Sequence, residues 1–502
     1  MKKFKITSII FCLAVITLSI FMCSCKKDDS PLGIKEKLTQ YNISINLNLE
    51  DFTLDCKQKM SVYNNNGEDL TNLKFHLYPK AFTMGAIYPS VNSLYTAKAY
   101  PNGKSYGDIT INKCYNDENN IDFYCEGSDN DILVVNINSS SEEYVDFYIE
   151  YEVKLPNINH RFGYGENTIN LANFYPILCV YENGEFSTKP YSTNGDPFYS
   201  NIANYEVDIT YPSNYILAHS GNLIKNEDNA LNTTAYIKGE NIRDFAMTLS
   251  SKFKVLTHNI NGDKGIIAIN YYYYSDEYPE KSLQTCVDSL STFNELFCCY
   301  PYKQLSVCET NFVYGGMEYP NLVFISDDIS AYSDYTNTII HEIAHQWWYG
   351  IVGNDEYTYG WLDEGLTEYS TALFYEKNPS YEVTMKDIIT NTTNSYLLFV
   401  QVYTDVFGNC NTTMSRLLNE YDTEPEYVYI AYVKAVLLFN DIRELIGNEN
   451  FINGLKLYIK EYKGKNATPD NLIECMEKTS SKPLKDIFYS YIDGKVIIIP
   501  NE

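Results

Sequence analysis

The segment Thr338-Ile339-Ile340-His341-Glu342-Ile343-Ala344-His345-Gln346-Trp347-Trp348 constrains this chain more than any other feature. On a helix, residues four apart project from one face, one turn above the other, so His341 and His345 can reach a single metal ion. Glu342 then sits beside the ion rather than on it, where a general base must be to take a proton from an attacking water. Two of the chain's six histidines fall in this pentad. His76, His160, His219 and His258 are isolated and carry no assigned role.

Zinc in a catalytic nitrogen/oxygen site takes three protein ligands and keeps one position open. Glu364 follows His345 after 18 residues, with Gly350, Gly353 and Gly360 between them. That is enough chain to end one helix, cross a loop and begin another near Trp361. The ligand set predicted for one Zn2+ is therefore His341, His345 and Glu364. A pattern with a third histidine six residues after His345 fails, because Ile351 stands there. Glu368, one turn after Glu364, is placed either to accept the second N–H of a ligand histidine and orient it or to lie on a solvated helix face.

The chain is long enough, at 502 residues, for two to four domains, and its 45% hydrophobic and 21% charged composition is globular. A formal net charge of −27 argues against nucleic acid as a partner and against adsorption to anionic lipid. The thirteen cysteines include no C-x-x-C pair, so no cysteine zinc site is expected, and free buried thiols account for most of them. At the N-terminus, Lys2, Lys3 and Lys5 precede an apolar run from Ile6 to Met22 that ends in Cys23-Ser24-Cys25. Residues 1–25 read as a signal peptide of lipoprotein type, with Cys25 as the acylated residue and residues 26–35 as a tether. The expectation is an exported protein, a cell-surface lipoprotein anchored at Cys25 or otherwise a secreted one. Its membrane contact would then run only through that lipid.

Period-two alternation, as in Tyr41-Asn42-Ile43-Ser44-Ile45-Asn46-Leu47, together with turn clusters such as Asn64-Asn65-Asn66-Gly67, predicts an all-β domain over 36–250. Helical periodicity then dominates 251–502, with helices predicted at 282–297, 336–350, 364–376, 427–446, 450–462, 469–478 and 483–492. The fold class expected is thus α+β multidomain, an all-β domain followed by a mostly helical one.

The segment His341–Glu364, flanked by Val352-Gly353-Asn354-Asp355 and Trp361-Leu362-Asp363-Glu364-Gly365, resembles the signature of the aminopeptidase N family of zinc metallopeptidases, peptidase family M1. Gly315-Gly316-Met317-Glu318-Tyr319 resembles that family's Gly-Ala-Met-Glu-Asn motif, with Gly316 in place of Ala and Tyr319 in place of Asn. The resemblance implies that Glu318 binds the substrate's free α-ammonium and that Gly315, Gly316 and Met317 line the substrate cleft. Tyr432-Val433-Lys434-Ala435 resembles the family's Tyr-x-Lys-Gly helix start, which implies that Tyr432 donates its hydroxyl to the developing oxyanion. Asn173-Phe174-Tyr175-Pro176, Gly195-Asp196-Pro197-Phe198 and Arg243-Asp244-Phe245-Ala246 are similar to blocks of the β domain and its junction. Together they imply a saddle-like N-terminal β domain and a thermolysin-like zinc metallopeptidase domain of the short, two-domain bacterial type.

The function expected is a zinc-dependent aminopeptidase acting on peptides with a free N-terminus. Two alternatives stand beside it: a zinc endopeptidase or other zinc hydrolase on the same fold, and a non-catalytic surface binding protein.

Overall fold

The computed structural model describes residues 30–496 apart from 35 and 118, together with residue 498. The expected signal peptide, Cys25 and the first part of the tether lie outside the described residues. Among those described, no helix is long and apolar enough to cross a membrane.

The N-terminal half is built on a seven-stranded sheet. Its strands run in the order Asn222–Asp228, Asn232–Ile242, Ala203–Pro212, Gln40–Asn48, Thr53–Tyr63, Tyr144–Lys154 and Asp108–Tyr115. The alternation seen in the sequence is the alternation of burial: Tyr41, Ile43, Ile45 and Leu47 point inward, and Asn42, Ser44 and Asn46 point outward. Gln40–Asn48 pairs in parallel with Ala203–Pro212, placing Ile43 opposite Val207. Its other neighbour, Thr53–Tyr63, is antiparallel. Smaller sheets, one of them formed by Ile216–His219, Ala246–Ser250, Ile169–Ala172 and Phe162–Tyr164, carry this half toward the second.

The second half contains more sheet than its periodicity suggests. Strands Lys254–Gly262, Gly265–Tyr273, Gln304–Thr310, Leu322–Ser326 and Gly316–Met317 form a five-stranded sheet in that order. Gln304–Thr310 and Leu322–Ser326 are buried at every position, so neither shows the period-two signal. The short Gly316–Met317 strand is the antiparallel edge, with Met317 opposite Phe324.

Helices α1 (Pro279–Leu296) and α2 (Tyr332–Ala344) pack against this sheet, α3 (Glu356–Lys377) packs on both helices, and α4 (Met385–Phe407) and α5 (Lys434–Ile446) pack on α3 and on each other. Asn448–Tyr462, Pro469–Ser480 and Lys485–Ile492 close the chain. Three expectations need correction. The helix predicted at 336–350 ends at Ala344 with His345 as its cap, because the buried Trp347 and Trp348 turn inward and donate to Cys298 and Ser370. The helix expected from 427 starts as a π-helical turn over Val428–Val433 before α5 begins. Helix α4 has no counterpart among the predicted helices; only Thr393, Tyr396 and Tyr403 of its 23 residues are buried.

One continuous core runs through both halves. Arg243 pins them together, donating from its buried guanidinium to the carbonyls of Tyr349 (3.0 Å), Ser200 (2.5 Å) and Lys465 (3.1 Å). Ten cysteines from Cys56 to Cys475 are free.

Candidate active site

Helix α2 delivers His341 from its last turn and His345 from its C-cap. Helix α3 delivers Glu364 and Glu368, but only after a break: Tyr359 leaves the helical region (φ −130°, ψ 39°), so the ligand-bearing run begins at Gly360. The Gly365 backbone lies against Ala435 of α5, where a β-carbon would clash with the Ala435 methyl. Close packing of this kind brings α3 up to the segment that carries Tyr432.

Three ligand atoms converge. His345 Nε2 lies 3.1 Å from His341 Nε2 and 3.1 Å from Glu364 Oε2, and His341 Nε2 lies 3.3 Å from the same oxygen. A tetrahedral ion with bonds of about 2.0–2.1 Å sets its ligand atoms roughly 3.3 Å apart, so the donors have the chemistry and spacing of a zinc site. All three side chains are buried. The other face of each imidazole is occupied. His345 Nδ1 donates to the Trp348 carbonyl at 3.0 Å, with the Thr367 hydroxyl 3.1 Å away. His341 Nδ1 lies 3.1 Å from Glu368 Oε1. The Trp348 and Thr367 partners favour the His345 tautomer that leaves its Nε2 bare, while Glu368, about one-third exposed, lies near His341 Nδ1 without a hydrogen bond in good geometry.

The electrostatics record a demand for positive charge. Burial disfavours ionised Glu364, yet His345 and His341 hold it well below the usual carboxylate range. Burial also disfavours a charged His345, but Glu318 and Glu364 push it up to about 10. His341 is likewise raised against burial, by Glu364 and Glu368. Glu342 is raised by burial to about 7, a shift that the two histidines limit.

Glu342 is buried beside the ligands and opposite the edge strand. A β-carbon at Gly316 would collide with its carboxylate, so glycine at that position gives the side chain its room. Glu318 is 3% exposed, and its Oε1 has no hydrogen-bond partner. Gln346, the residue after the second histidine, fixes Glu318 from behind: its amide donates to the carbonyls of Glu318 (3.3 Å) and Tyr319 (3.2 Å) and accepts from Asn321 N–H (2.9 Å). The Tyr432 hydroxyl donates to Glu364 Oε1 at 2.5 Å. It therefore stands at the ligand carboxylate, on the rim of the same cavity.

These groups line one cavity of about 430 Å3 between the two halves. Met317 is buried beneath it, 3.2 Å from the Arg161 guanidinium. The other site residues singled out in the sequence line this cavity, whereas Met317, expected to line the cleft, is buried and does not. Sequence reasoning missed what the β half contributes. Asp196, paired with the buried Arg161 at 2.5 Å, places a carboxylate oxygen within 4.8 Å of oxygens of Glu318 and Glu364. Its Gly-Asp-Pro-Phe block was recognisable, but nothing local gave that aspartate a role. Tyr95, Tyr314, Glu424 and Tyr427 were missed as well.

Residues 281–491 match the peptidase family M1 domain. Among curated proteins, Aminopeptidase M1-B of Oryza sativa subsp. japonica is 26% identical over 227 residues, 42% of this chain and 25% of its own length. Aminopeptidase M1-D of the same organism is 25% identical over 223 residues with the same coverage. The matched region spans about a quarter of the length of these relatives. Among solved structures, the M1 zinc metallopeptidase from Deinococcus radiodurans is similar with a TM-score of 0.64 at 13% identity, over 93% of this chain and 97% of that one. A mutant of that enzyme bound to a Tyr-Ser-Ala substrate gives 0.65, also at 13% identity, over 93% and 96%. At such identity the likeness establishes a shared two-domain fold.

Proposed function

We propose, on the premise that residues 281–491 belong to peptidase family M1, that this chain is a zinc-dependent aminopeptidase. The observation that carries the proposal is the convergence of His341 Nε2, His345 Nε2 and Glu364 Oε2 within 3.3 Å of one another. They share a cavity with a buried base and a buried, unpartnered Glu318.

His341, His345 and Glu364 would hold the ion. Zinc bound there supplies Lewis acidity, polarising a scissile carbonyl and making water more acidic. Glu342 takes the proton of the attacking water and returns it to the leaving amine. Its burial and raised proton affinity suit both halves of that transfer. Tyr432 swings its hydroxyl from Glu364 to the carbonyl oxygen as negative charge develops there. Glu318 accepts hydrogen bonds from the substrate's α-ammonium, and Asp196 adds a second carboxylate beside it. A cation at that point relieves the repulsion among buried acids, which a blocked amino terminus cannot do.

The test is a pair of peptides differing only in N-acetylation, assayed with and without a chelator and after zinc is restored. Cleavage of the free peptide alone, after its first residue, lost on chelation and recovered with zinc, is the expected result. Equal cleavage of the acetylated peptide would favour the endopeptidase reading. Binding without cleavage would favour a non-catalytic one.

The same proposal extends to location. Lys2, Lys3 and Lys5, the apolar run and Ser24-Cys25 support export with a lipid on Cys25. Cys25→Ala should move the protein from the membrane fraction to the soluble fraction, and an unchanged membrane fraction would reject the anchor.

A further inference from the structure

One wall of the cavity carries chemistry that hydrolysis does not use. Tyr314 directly precedes the Gly315–Glu318 segment and lines the cavity, so this wall adjoins the place where Glu318 meets the amino end. The rings of Tyr314 and Tyr95 meet edge to face at 5.6 Å. Tyr427 and Glu424 face the same space from the short helix Glu424–Tyr427.

The charges on this side divide unequally. Arg161 is committed to Asp196 at 2.5 Å, and Lys98 to Asp328 at 2.9 Å. Glu424 has no cationic partner among the described residues. The Tyr95 hydroxyl lies against its carboxyl group, while its Oε2 is closed off from solvent and makes no hydrogen bond. A carboxylate desolvated in this way gains more from an incoming cation than a solvated one does. Phenol rings around it offer faces to an aliphatic stem and to a cationic head.

We propose that this wall receives the side chain of the substrate's first residue and selects lysine or arginine, the cation ending on Glu424 and the stem running between Tyr95, Tyr314 and Tyr427. The inference rests on the aminopeptidase reading, which places the first residue between Glu318 and the metal. A neutral side chain in the same place would leave Glu424 unpaired, so selectivity comes as much from the penalty on the wrong residue as from attraction of the right one.

Lysine and norleucine share a stem and differ only by the ammonium group, which makes them the decisive pair. The zinc-loaded full chain is assayed on lysyl-, norleucyl- and leucyl-coumarylamides, alongside Glu424→Gln. The expected result is a kcat/KM for lysyl about 10- to 100-fold above norleucyl, in line with one charge-assisted hydrogen bond. Glu424→Gln should bring that ratio close to one by lowering the lysyl value and raising the norleucyl and leucyl values, because the penalty on an unpaired carboxylate is removed, opposite changes that loss of packing would not produce. A parent that cleaves norleucyl as well as lysyl overturns the inference and leaves the aminopeptidase reading standing. So does a variant that slows all three substrates equally. If no free-amine substrate is cleaved, both fall. Should Glu424→Gln not fold, competitive inhibition of the parent by lysinamide against norleucinamide decides the matter. Tighter lysinamide is expected, and equal inhibition would refute the assignment.

Discussion

Zinc entering this site must displace protons, and the structure sets how many. Without the ion, the anionic surroundings raise the proton affinity of both ligand imidazoles. Glu318 and Glu364 push His345 up to about 10 against burial, and Glu364 and Glu368 raise His341 in the same direction. Glu364 is already ionised, held down by both histidines, and contributes no proton. Metal and proton compete for the same Nε2 atoms, so binding expels between one and two protons, the facing imidazoles 3.1 Å apart favouring the lower figure. Each proton is worth about 1.4 kcal/mol per pH unit. Apparent zinc affinity should therefore rise ~100- to 10,000-fold from pH 6 to pH 8. The rise should level off as pH passes the histidines' raised values. Calorimetric titration of metal-free protein in buffers of different ionisation enthalpy counts the protons directly. Release of fewer than about half a proton at pH 7, or an affinity that does not change with pH, would refute the charge assignment.

Two further outcomes follow from the geometry. Tyr432→Phe removes a hydroxyl that donates to Glu364 at 2.5 Å but leaves all three ligands. It should keep its zinc and lose about 100- to 1000-fold in kcat with little change in KM, and steady-state kinetics within threefold of the parent would exclude Tyr432 from the chemistry. Arg243→Ala leaves the Tyr349 carbonyl without its donor and takes one of two donors from the Ser200 and Lys465 carbonyls, which keep Asn466 and Gly353. It should cost about 3 kcal/mol or more, read as a lower urea midpoint, and an unchanged midpoint would show that the halves do not depend on this clamp.

The parts of the site that could be read from sequence are those whose geometry is local. His341, His345 and Glu342 lie within one and a half turns of a single helix, and Glu364 and Glu368 lie on the next, so spacing alone brings them together. The motif around Glu318 was readable by resemblance. Gln346, which fixes Glu318, was not, because its bonds cross to the turn between two strands, 25 or more residues away. The cavity's outer wall is assembled from Tyr95, Asp196, Tyr314 and Glu424, which lie far apart in the chain. Among 48 tyrosines and 65 acids, nothing local distinguishes them. At the level of fold, half-buried strands such as Gln40–Asn48 showed their period, whereas fully buried ones such as Leu322–Ser326 show only a short apolar run that suits helix and strand alike. Helix α4 escaped for the opposite reason: its Asn391-Thr392-Thr393-Asn394-Ser395 stretch is poor in helix formers, and packing of Phe399 on Tyr429 at 4.4 Å helps hold it.

The most direct trial of the central claim is metal content measured together with turnover in the parent, Glu364→Ala and Glu342→Gln. One zinc per chain is expected in the parent and in Glu342→Gln, and markedly less in Glu364→Ala, with peptide hydrolysis lost in both variants. Full zinc in Glu364→Ala, or undiminished hydrolysis by Glu342→Gln, would contradict it.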